Sequence, residues 1–232
     1  MFSYYGSKSK IVDYYPPPKF NKIIEPFAGS ARYSLKYWQN DVLLIDKYKN
    51  VVNVWLWLKE CSESDINGLP KLKKGDDIRK MNLTESEFLF LSFACSAGSS
   101  GPRYSVSNFG EQNAKTLYKN TIKHLHKIKH WDIKLGSYEN IENYEATWFV
   151  DPPYQFGGHE YKFSNKEIDF NNLAEWCKSR NGQTIVCENT KADWMEFKPV
   201  ISFTGTQKLT TTEAIWSNHK TNYDNVQQTL QF

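Results

Sequence analysis

The fold of this chain is constrained most strongly by two consecutive units of the same kind. Each unit is an apolar run followed by a turn and a helical pattern. Residues 22–26 form a short apolar run, residues 27–30 a tight turn, and residues 31–39 carry helical spacing. The pattern recurs at once, with a buried-strand pattern over residues 41–46 and helical spacing over residues 48–60. Two successive strand–helix pairs are typical of a parallel sheet covered by helices, so we predict an α/β fold.

This alternation stops in the middle of the chain. Residues 61–109 contain proline-rich and glycine-rich segments, which predict loops around one helix at residues 84–95. Residues 111–130 carry the spacing of a second long helix. We therefore predict that an insertion interrupts an α/β domain. The insertion comprises residues 56–131, and the α/β domain comprises residues 1–55 and 132–232.

The α/β alternation resumes after the insertion. Strands are predicted over residues 131–136, 146–150 and 184–187. Ser164 is expected to cap a helix that runs to about residue 180, because Glu167 follows three residues later as in a capping box. The tail after residue 200 is rich in threonine and aromatic residues, which predicts an antiparallel strand pair that closes the sheet.

The composition excludes several classes of protein. Of the 232 residues, 40% are hydrophobic and 24% are charged, which fits a soluble globular protein and excludes collagen-like and disordered chains. Apolar runs are too short to span a bilayer, and the first residues do not resemble a signal peptide. We therefore expect no membrane contact and a location in the cytoplasm of a bacterial or virus-infected host cell. The widely spaced cysteines predict free thiols and no metal site: Cys61, Cys95, Cys177 and Cys187.

Positive charge is concentrated near the end of the insertion. The net charge of +3 is too small to indicate nucleic-acid binding by itself. Between residues 115 and 134, however, Asp132 is the only acid among six lysines: Lys115, Lys119, Lys123, Lys127, Lys129 and Lys134. The first four recur at four-residue intervals on one helix face. This pattern fits either a solvated surface or contact with a nucleic-acid backbone.

The first turn has features of a nucleotide site. It follows a parallel strand, where doubly wound folds bind ligands, and Gly29 lets the backbone approach a ligand closely. Asp46 ends the second strand, 17 positions after Gly29, where a carboxylate can accept hydrogen bonds from ribose hydroxyls. A purely structural turn remains an alternative. The incomplete glycine pattern argues against a nicotinamide cofactor.

A second motif, residues 151–154 with the sequence Asp-Pro-Pro-Tyr, directly follows the predicted strand at residues 146–150. It therefore lies at the same end of the sheet as Gly29 and Asp46. Two prolines fix the backbone and donate no hydrogen bonds, which leaves the preceding carbonyls exposed. A rigid loop, or a proline-rich ligand for a peptide-binding module, would explain the same residues.

In this order along the chain, these motifs resemble those of the Dam-like DNA adenine N6-methyltransferases. The resemblance covers nearly the whole chain outside the insertion. It rests on residues 4–8, 25–30, 44–46, 149–154, 161–164, 173–176, 186–189 and 212–218. It implies a Rossmann-like class I methyltransferase fold: a mixed, mostly parallel seven-stranded sheet with a small, mainly helical inserted domain.

The resemblance also implies roles for individual residues. Asp46 would bind the ribose of S-adenosylmethionine, and Ser137 or Tyr138 would flank its adenine. The full set of implied cofactor-binding residues is Tyr4, Gly6, Lys8, Phe27, Ala28, Gly29, Ser30, Asp46, Ser137, Tyr138 and Asp151. Asp151 and the Pro152 carbonyl would accept hydrogen bonds from the target amino group, and Tyr154 would stack on the flipped base. One departure from the family is Ala31, which replaces a second glycine.

By the same resemblance, the insertion would be the target recognition domain and residues 98–104 would probe double-stranded DNA. The implied DNA-binding residues are Arg103, Tyr104, Lys115, Lys119, Lys123 and His159. The predicted activity is methylation of adenine N6 within a short DNA sequence, as in restriction–modification systems, by direct transfer that needs no metal. The alternatives are methylation of cytosine N4 or of an RNA adenine, and a non-catalytic DNA-binding regulator.

Overall fold

A computed structural model describes residues 1–2, 4, 6–9, 11–95, 101–158, 161–204 and 210–221. Within these residues seven strands form one sheet in the order β3-β2-β1-β4-β5-β7-β6. The strands are β1 Lys22–Glu25, β2 Asp41–Asp46, β3 Asp132–Leu135, β4 Ala146–Val150, β5 Gly182–Asn189, β6 Lys198–Thr204 and β7 Thr210–Ser217. Strands β1 to β5 are parallel, and β7 runs antiparallel to both β5 and β6. The predicted Rossmann-like mixed sheet is therefore confirmed.

Helices connect the parallel strands and form most of the insertion. They are α1 Arg32–Lys36, α2 Lys49–Glu60, α3 Glu63–Gly68, α4 Glu85–Ser92, α5 Asn108–His124 and α6 Phe170–Lys178. Helix α3, which the sequence analysis did not predict, begins with a capping box between Ser62 and Asp65. Among the described helices, none is long and apolar enough to cross a membrane.

The predicted capping role of Ser164 is wrong. Its side chain makes no capping hydrogen bond, and it precedes only a 3-10 turn, Asn165–Glu167. Helix α6 begins later because Ile168 is extended and Asp169 accepts hydrogen bonds from the backbone N–H groups of Asn171 and Asn172, both at 3.0 Å. A carboxylate that satisfies two otherwise unpaired amides determines the start of the helix.

Alternate residues of each central strand enter different hydrophobic clusters on the two faces of the sheet. On β1, Ile23 packs into one cluster and Ile24 into the other, and the same alternation occurs at Phe149 and Val150. The cluster around Ile23 also contains the apolar residues of the insertion, including Leu117. Helix α2 begins in the α/β body and continues past residue 55 into the insertion. The insertion and the α/β body therefore share one hydrophobic core. All four cysteines are buried and unpaired, as predicted.

Candidate functional site

A cleft of about 1010 Å³ lies along the carboxyl ends of β1, β2 and β4. Parallel strands present their following loops at this edge of a sheet, so motifs far apart in sequence meet here. Every residue that the resemblance implies for cofactor binding lines this cleft: Tyr4, Gly6, Lys8, Phe27, Ala28, Gly29, Ser30, Asp46, Ser137, Tyr138 and Asp151.

The glycine turn is fixed to the end of β2 by hydrogen bonds. The backbone N–H of Gly29 donates to Asp46 Oδ2 at 2.9 Å, and the N–H of Tyr48 donates to Asp46 Oδ1 at 2.8 Å. Burial raises the pKa of Asp46 to about 6, although both hydrogen bonds oppose this shift. Each carboxylate oxygen can accept two hydrogen bonds. After these two bonds Asp46 therefore retains acceptor capacity toward the cleft.

Two neighbouring positions in this turn adopt left-handed backbone conformations. Gly29 has φ +44°, and Ala31 has φ +45° at the start of α1. A side chain is disfavoured in this region because Cβ approaches the following carbonyl oxygen. This explains why a glycine suits position 31 in the family that the sequence resembles.

The N-terminal segment forms one wall of the cleft. Gly6 has φ +72°, and a Cβ atom there would overlap the hydroxyl of Tyr161. Glycine is therefore required both by the backbone conformation and by the close approach of Tyr161. The ring of Tyr4 is buried beside Gly29, so this segment packs directly on the glycine turn.

The carboxylate of Asp151, which follows β4, forms an ion pair with Lys8. Lys8 Nζ lies 2.7 Å from Asp151 Oδ1 and 4.6 Å from the ring centroid of Tyr154. Burial raises the pKa of Asp151 to about 6, and the charge of Lys8 opposes the shift. Burial lowers the pKa of Lys8, but the charges of Asp151 and Glu213 outweigh it, so Lys8 remains a cation.

Pro152 and Tyr154 lie beside the cleft and are not among its lining residues. Pro152 is buried, and its carbonyl accepts no hydrogen bond from the described residues. The hydroxyl of Tyr154 donates to Glu213 Oε1 at 2.5 Å, and that of Tyr15 donates to the same oxygen at 2.6 Å. Glu213, on β7, therefore fixes the position of the Tyr154 ring.

A pair of aromatic rings forms another wall of the cleft. The rings of Phe27 and Tyr138 lie 5.5 Å apart at an interplanar angle of 30°, and Tyr138 packs edge-on against Trp176. Ser137, at the rim, donates a hydrogen bond to Glu139 Oε2 at 2.8 Å. Aromatic and apolar walls of this kind suit a planar heterocycle.

Several cleft residues were not predicted as site residues. Glu25, at the end of β1, is fully buried and accepts a 2.7 Å hydrogen bond from the N–H of Ser34. Burial raises the pKa of Glu25 to about 8, so this carboxyl is mostly neutral at pH 7. A charged residue at the end of an apolar strand was the signal for Glu25. Further lining residues are Arg32, Tyr48, Tyr161, Phe163, Glu167 and Ile168.

The described residues among those predicted to bind DNA lie outside the cleft. Lys115, Lys119 and Lys123 are exposed on α5, where Lys115 pairs with Glu111 at 3.2 Å. Arg103 and Tyr104 are exposed in the insertion. His159 and positions 98–100 of the predicted probe lie outside the described residues. DNA contact by these side chains stays a prediction.

Comparison with known proteins finds similarity in structure but none in sequence. No family model and no curated protein matches the sequence. The fold is similar to a solved structure named "Putative methyltransferase yhhF from Escherichia coli", with 9% sequence identity and a TM-score of 0.39. The similarity covers 92% of this chain and 81% of that one. Similarity of this degree assigns no function to the chain.

The left-handed conformation of Ala31 leads to a stability prediction. We expect Ala31→Gly to change the free energy of unfolding by less than about 0.5 kcal/mol, because relief of backbone strain offsets the buried methyl group and the added chain entropy. The control Ala174→Gly, inside α6, should lose about 1.5 kcal/mol. Urea unfolding measures both values, and an equal loss in the two variants would contradict the explanation.

The buried carboxyl of Glu25 leads to a prediction about pH. Its folded pKa of about 8 exceeds the ordinary value of 4.5, so its contribution to stability is complete below pH 4.5 and is lost as pH rises through 8. From pH 5 to pH 8 we therefore expect the stability of Glu25→Gln to rise by about 3 kcal/mol relative to the wild type. Urea unfolding at both pH values tests this. The exposed control Glu175→Gln should show no such change, and a Glu25→Gln difference that is equal at both pH values would contradict the assignment.

Proposed function

We propose that this chain transfers a methyl group from S-adenosylmethionine to N6 of an adenine flipped out of double-stranded DNA. The observation that carries the proposal is the position of Asp151. Its carboxylate lines a cleft whose other walls contain the glycine turn, Asp46 and the aromatic pair Phe27 and Tyr138. The proximity of these motif residues, which are far apart in sequence, supports the proposal.

The described residues fit S-adenosylmethionine. Its adenine suits the aromatic wall formed by Phe27 and Tyr138, and its ribose hydroxyls suit the free acceptor capacity of Asp46. When bound, this cofactor supplies a methyl group on a positively charged sulfur that is ready to leave. The task of the protein is therefore to position the acceptor in line.

Two acceptors orient the target nitrogen. An adenine amino nitrogen is a weak nucleophile because its lone pair is delocalised into the ring. In the proposed complex, Asp151 and the Pro152 carbonyl accept hydrogen bonds from its two N–H groups, which favours the geometry for attack. The nitrogen lone pair forms the new N–C bond, the C–S bond breaks with its electrons remaining on sulfur, and a proton leaves the nitrogen. Asp151, as a carboxylate, is the nearest group to accept that proton.

Tyr154 offers a surface for the flipped base. The target atom lies inside the base stack of duplex DNA, so the base must leave the stack to react. The hydrogen bond from Tyr154 to Glu213 and the contact with Lys8 fix the ring next to Asp151. A ring fixed in this way can stack on an extruded base without first losing rotamer freedom.

The first experiment measures methylated nucleosides in unmethylated duplex DNA after incubation with the protein and S-adenosylmethionine. We expect N6-methyladenine from the wild type, and a loss of at least about 100-fold for Asp151→Ala. Asp132→Ala, an exposed aspartate on β3, is the control and should retain activity.

Other outcomes of this experiment have distinct meanings. N4-methylcytosine, or activity on RNA alone, would replace the proposed acceptor. Cofactor binding without any methylated base would contradict the proposal and favour a DNA-binding regulator.

The ion pair between Lys8 and Asp151 predicts a pH profile. Transfer needs the carboxylate form of Asp151, so kcat/KM should fall below about pH 6. In Lys8→Gln we expect the midpoint of this fall in kcat/KM, the acid limb of the pH profile, to move upward by about one pH unit. The reason is that the carboxylate loses its cationic partner. Lys22→Gln, which removes an ion pair with Asp41 of the same 2.7 Å length at a distant surface, is the control. An unshifted limb in Lys8→Gln would exclude Asp151 as the titrating group.

A further inference from the structure

An arginine of the insertion that the sequence analysis did not single out is held rigidly at the surface. Both Asp77 oxygens accept hydrogen bonds from Arg79 Nε, at 2.9 and 3.1 Å, and Oδ2 also accepts one from Nη2 at 2.5 Å. The carboxylate thus binds the Nε–Nη2 edge of the guanidinium group. The Arg79 side chain is nevertheless 60% exposed. A planar group held by two-point contact presents its remaining donors in a fixed direction.

Aromatic stacking and backbone hydrogen bonds add to this rigidity. The guanidinium carbon of Arg79 lies 5.1 Å from the ring centroid of Tyr104, and Tyr104 stacks on Phe88 at 5.8 Å and 22°. The N–H of Ile78 donates to the carbonyl of Tyr104 at 3.0 Å, and Asp77 forms an antiparallel bridge with Ser105. Two segments separated by a helix are therefore joined into one layered unit, which we call the Arg79 platform: Asp77, Arg79, Phe88 and Tyr104.

The Arg79 platform is linked to the wall of the cleft through two packed helices. Tyr48 lines the cleft and immediately precedes α2, and α2 packs against α4, the helix that carries Phe88 of the platform. Tyr48 and Phe88 also pack against the same hydrophobic cluster.

We propose that Arg79 reads a guanine edge in the DNA next to the target adenine. This inference rests on the proposed function. Asp77 occupies Nε and one hydrogen of Nη2, and Nη1 donates no hydrogen bond within the described part of the chain. The outer edge of the guanidinium, formed by Nη1 and Nη2, thus retains two parallel donors. Guanine presents two acceptors, O6 and N7, with the matching spacing in the major groove.

The chemistry of the platform favours a base over a phosphate. Asp77 neutralises the charge of Arg79, and a carboxylate this close would repel a phosphate anion. Guanine acceptors are uncharged, so the carboxylate does not oppose them and instead fixes the arginine for bidentate recognition. Exposed lysines without an adjacent acid, such as Lys119, are better suited to contact the phosphate backbone of DNA.

The test maps methylated adenines in a random-sequence duplex library treated with S-adenosylmethionine and each protein. We expect the wild type to prefer guanine at one or more positions near the target. Arg79→Lys keeps the charge but removes the planar pair of donors, so preference at one guanine position should fall about 10- to 100-fold. Asp77→Asn should produce a smaller loss at the same position, since Arg79 then lacks its two-point support. Thermal unfolding confirms that each variant is folded.

The matched control is Arg180→Lys. Arg180 also stacks on an aromatic ring, 4.4 Å from the centroid of Trp176, but it lies at the amino ends of β4 and β5, at the edge opposite the cleft. Its substitution should leave the sequence preference unchanged.

The outcomes separate this inference from the proposed function. If wild type and Arg79→Lys methylate adenine with the same preference at every position, the inference is wrong and the proposed function stands. A uniform loss of activity at all sequences, with a salt dependence reduced by about one unit, would identify a phosphate contact and overturn the guanine assignment. If the wild type methylates no DNA adenine, both are overturned.

Discussion

The cleft depends on the ion pair between Lys8 and Asp151, because it places a buried carboxylate at the end of the sheet without leaving its charge unpaired. An uncompensated buried charge costs several kcal/mol, on the order of the stability of a whole small domain. Lys8 comes from the N-terminal segment, and Asp151 follows a central strand. Their contact therefore closes the cleft and keeps the acceptor carboxylate ionised near neutral pH.

The other buried carboxyl groups are compensated in different ways, and each arrangement gives the group a different chemistry. Asp46 accepts hydrogen bonds from two backbone amides and is ready to bind hydroxyl groups. Glu25 is driven toward its neutral form by burial. Glu213 accepts two tyrosine hydroxyls and so positions the Tyr154 ring behind Asp151. Carboxyl groups within one end of the sheet thus have separate roles because their partners differ.

The insertion shares the hydrophobic cluster of the α/β body, so under the proposed function DNA recognition and catalysis would share one core. Leu89 of α4 and Leu117 of α5 pack into the same cluster as Ile23 of β1. A close-packed interface of this kind transmits position rather than allowing free motion. The Arg79 platform is consequently presented at a fixed place relative to Asp151, as reading of a sequence next to a target base requires.

Hydrophobic periodicity predicts the α/β sheet, and short motifs place the glycine turn and the Asp-Pro-Pro-Tyr motif at strand ends, because these signals are local. The resemblance adds the residues implied for cofactor binding, which lie together in the cleft. The start of α6 at Asp169 rather than Ser164 is seen only in three dimensions, because two candidate caps competed and backbone geometry selected one. The tertiary structure likewise decided the pairings of Lys8 with Asp151 and of Tyr154 with Glu213, and the stacking of Arg79 on Tyr104. These contacts join distant segments, and no periodic pattern in the sequence encodes which buried or stacked partners meet.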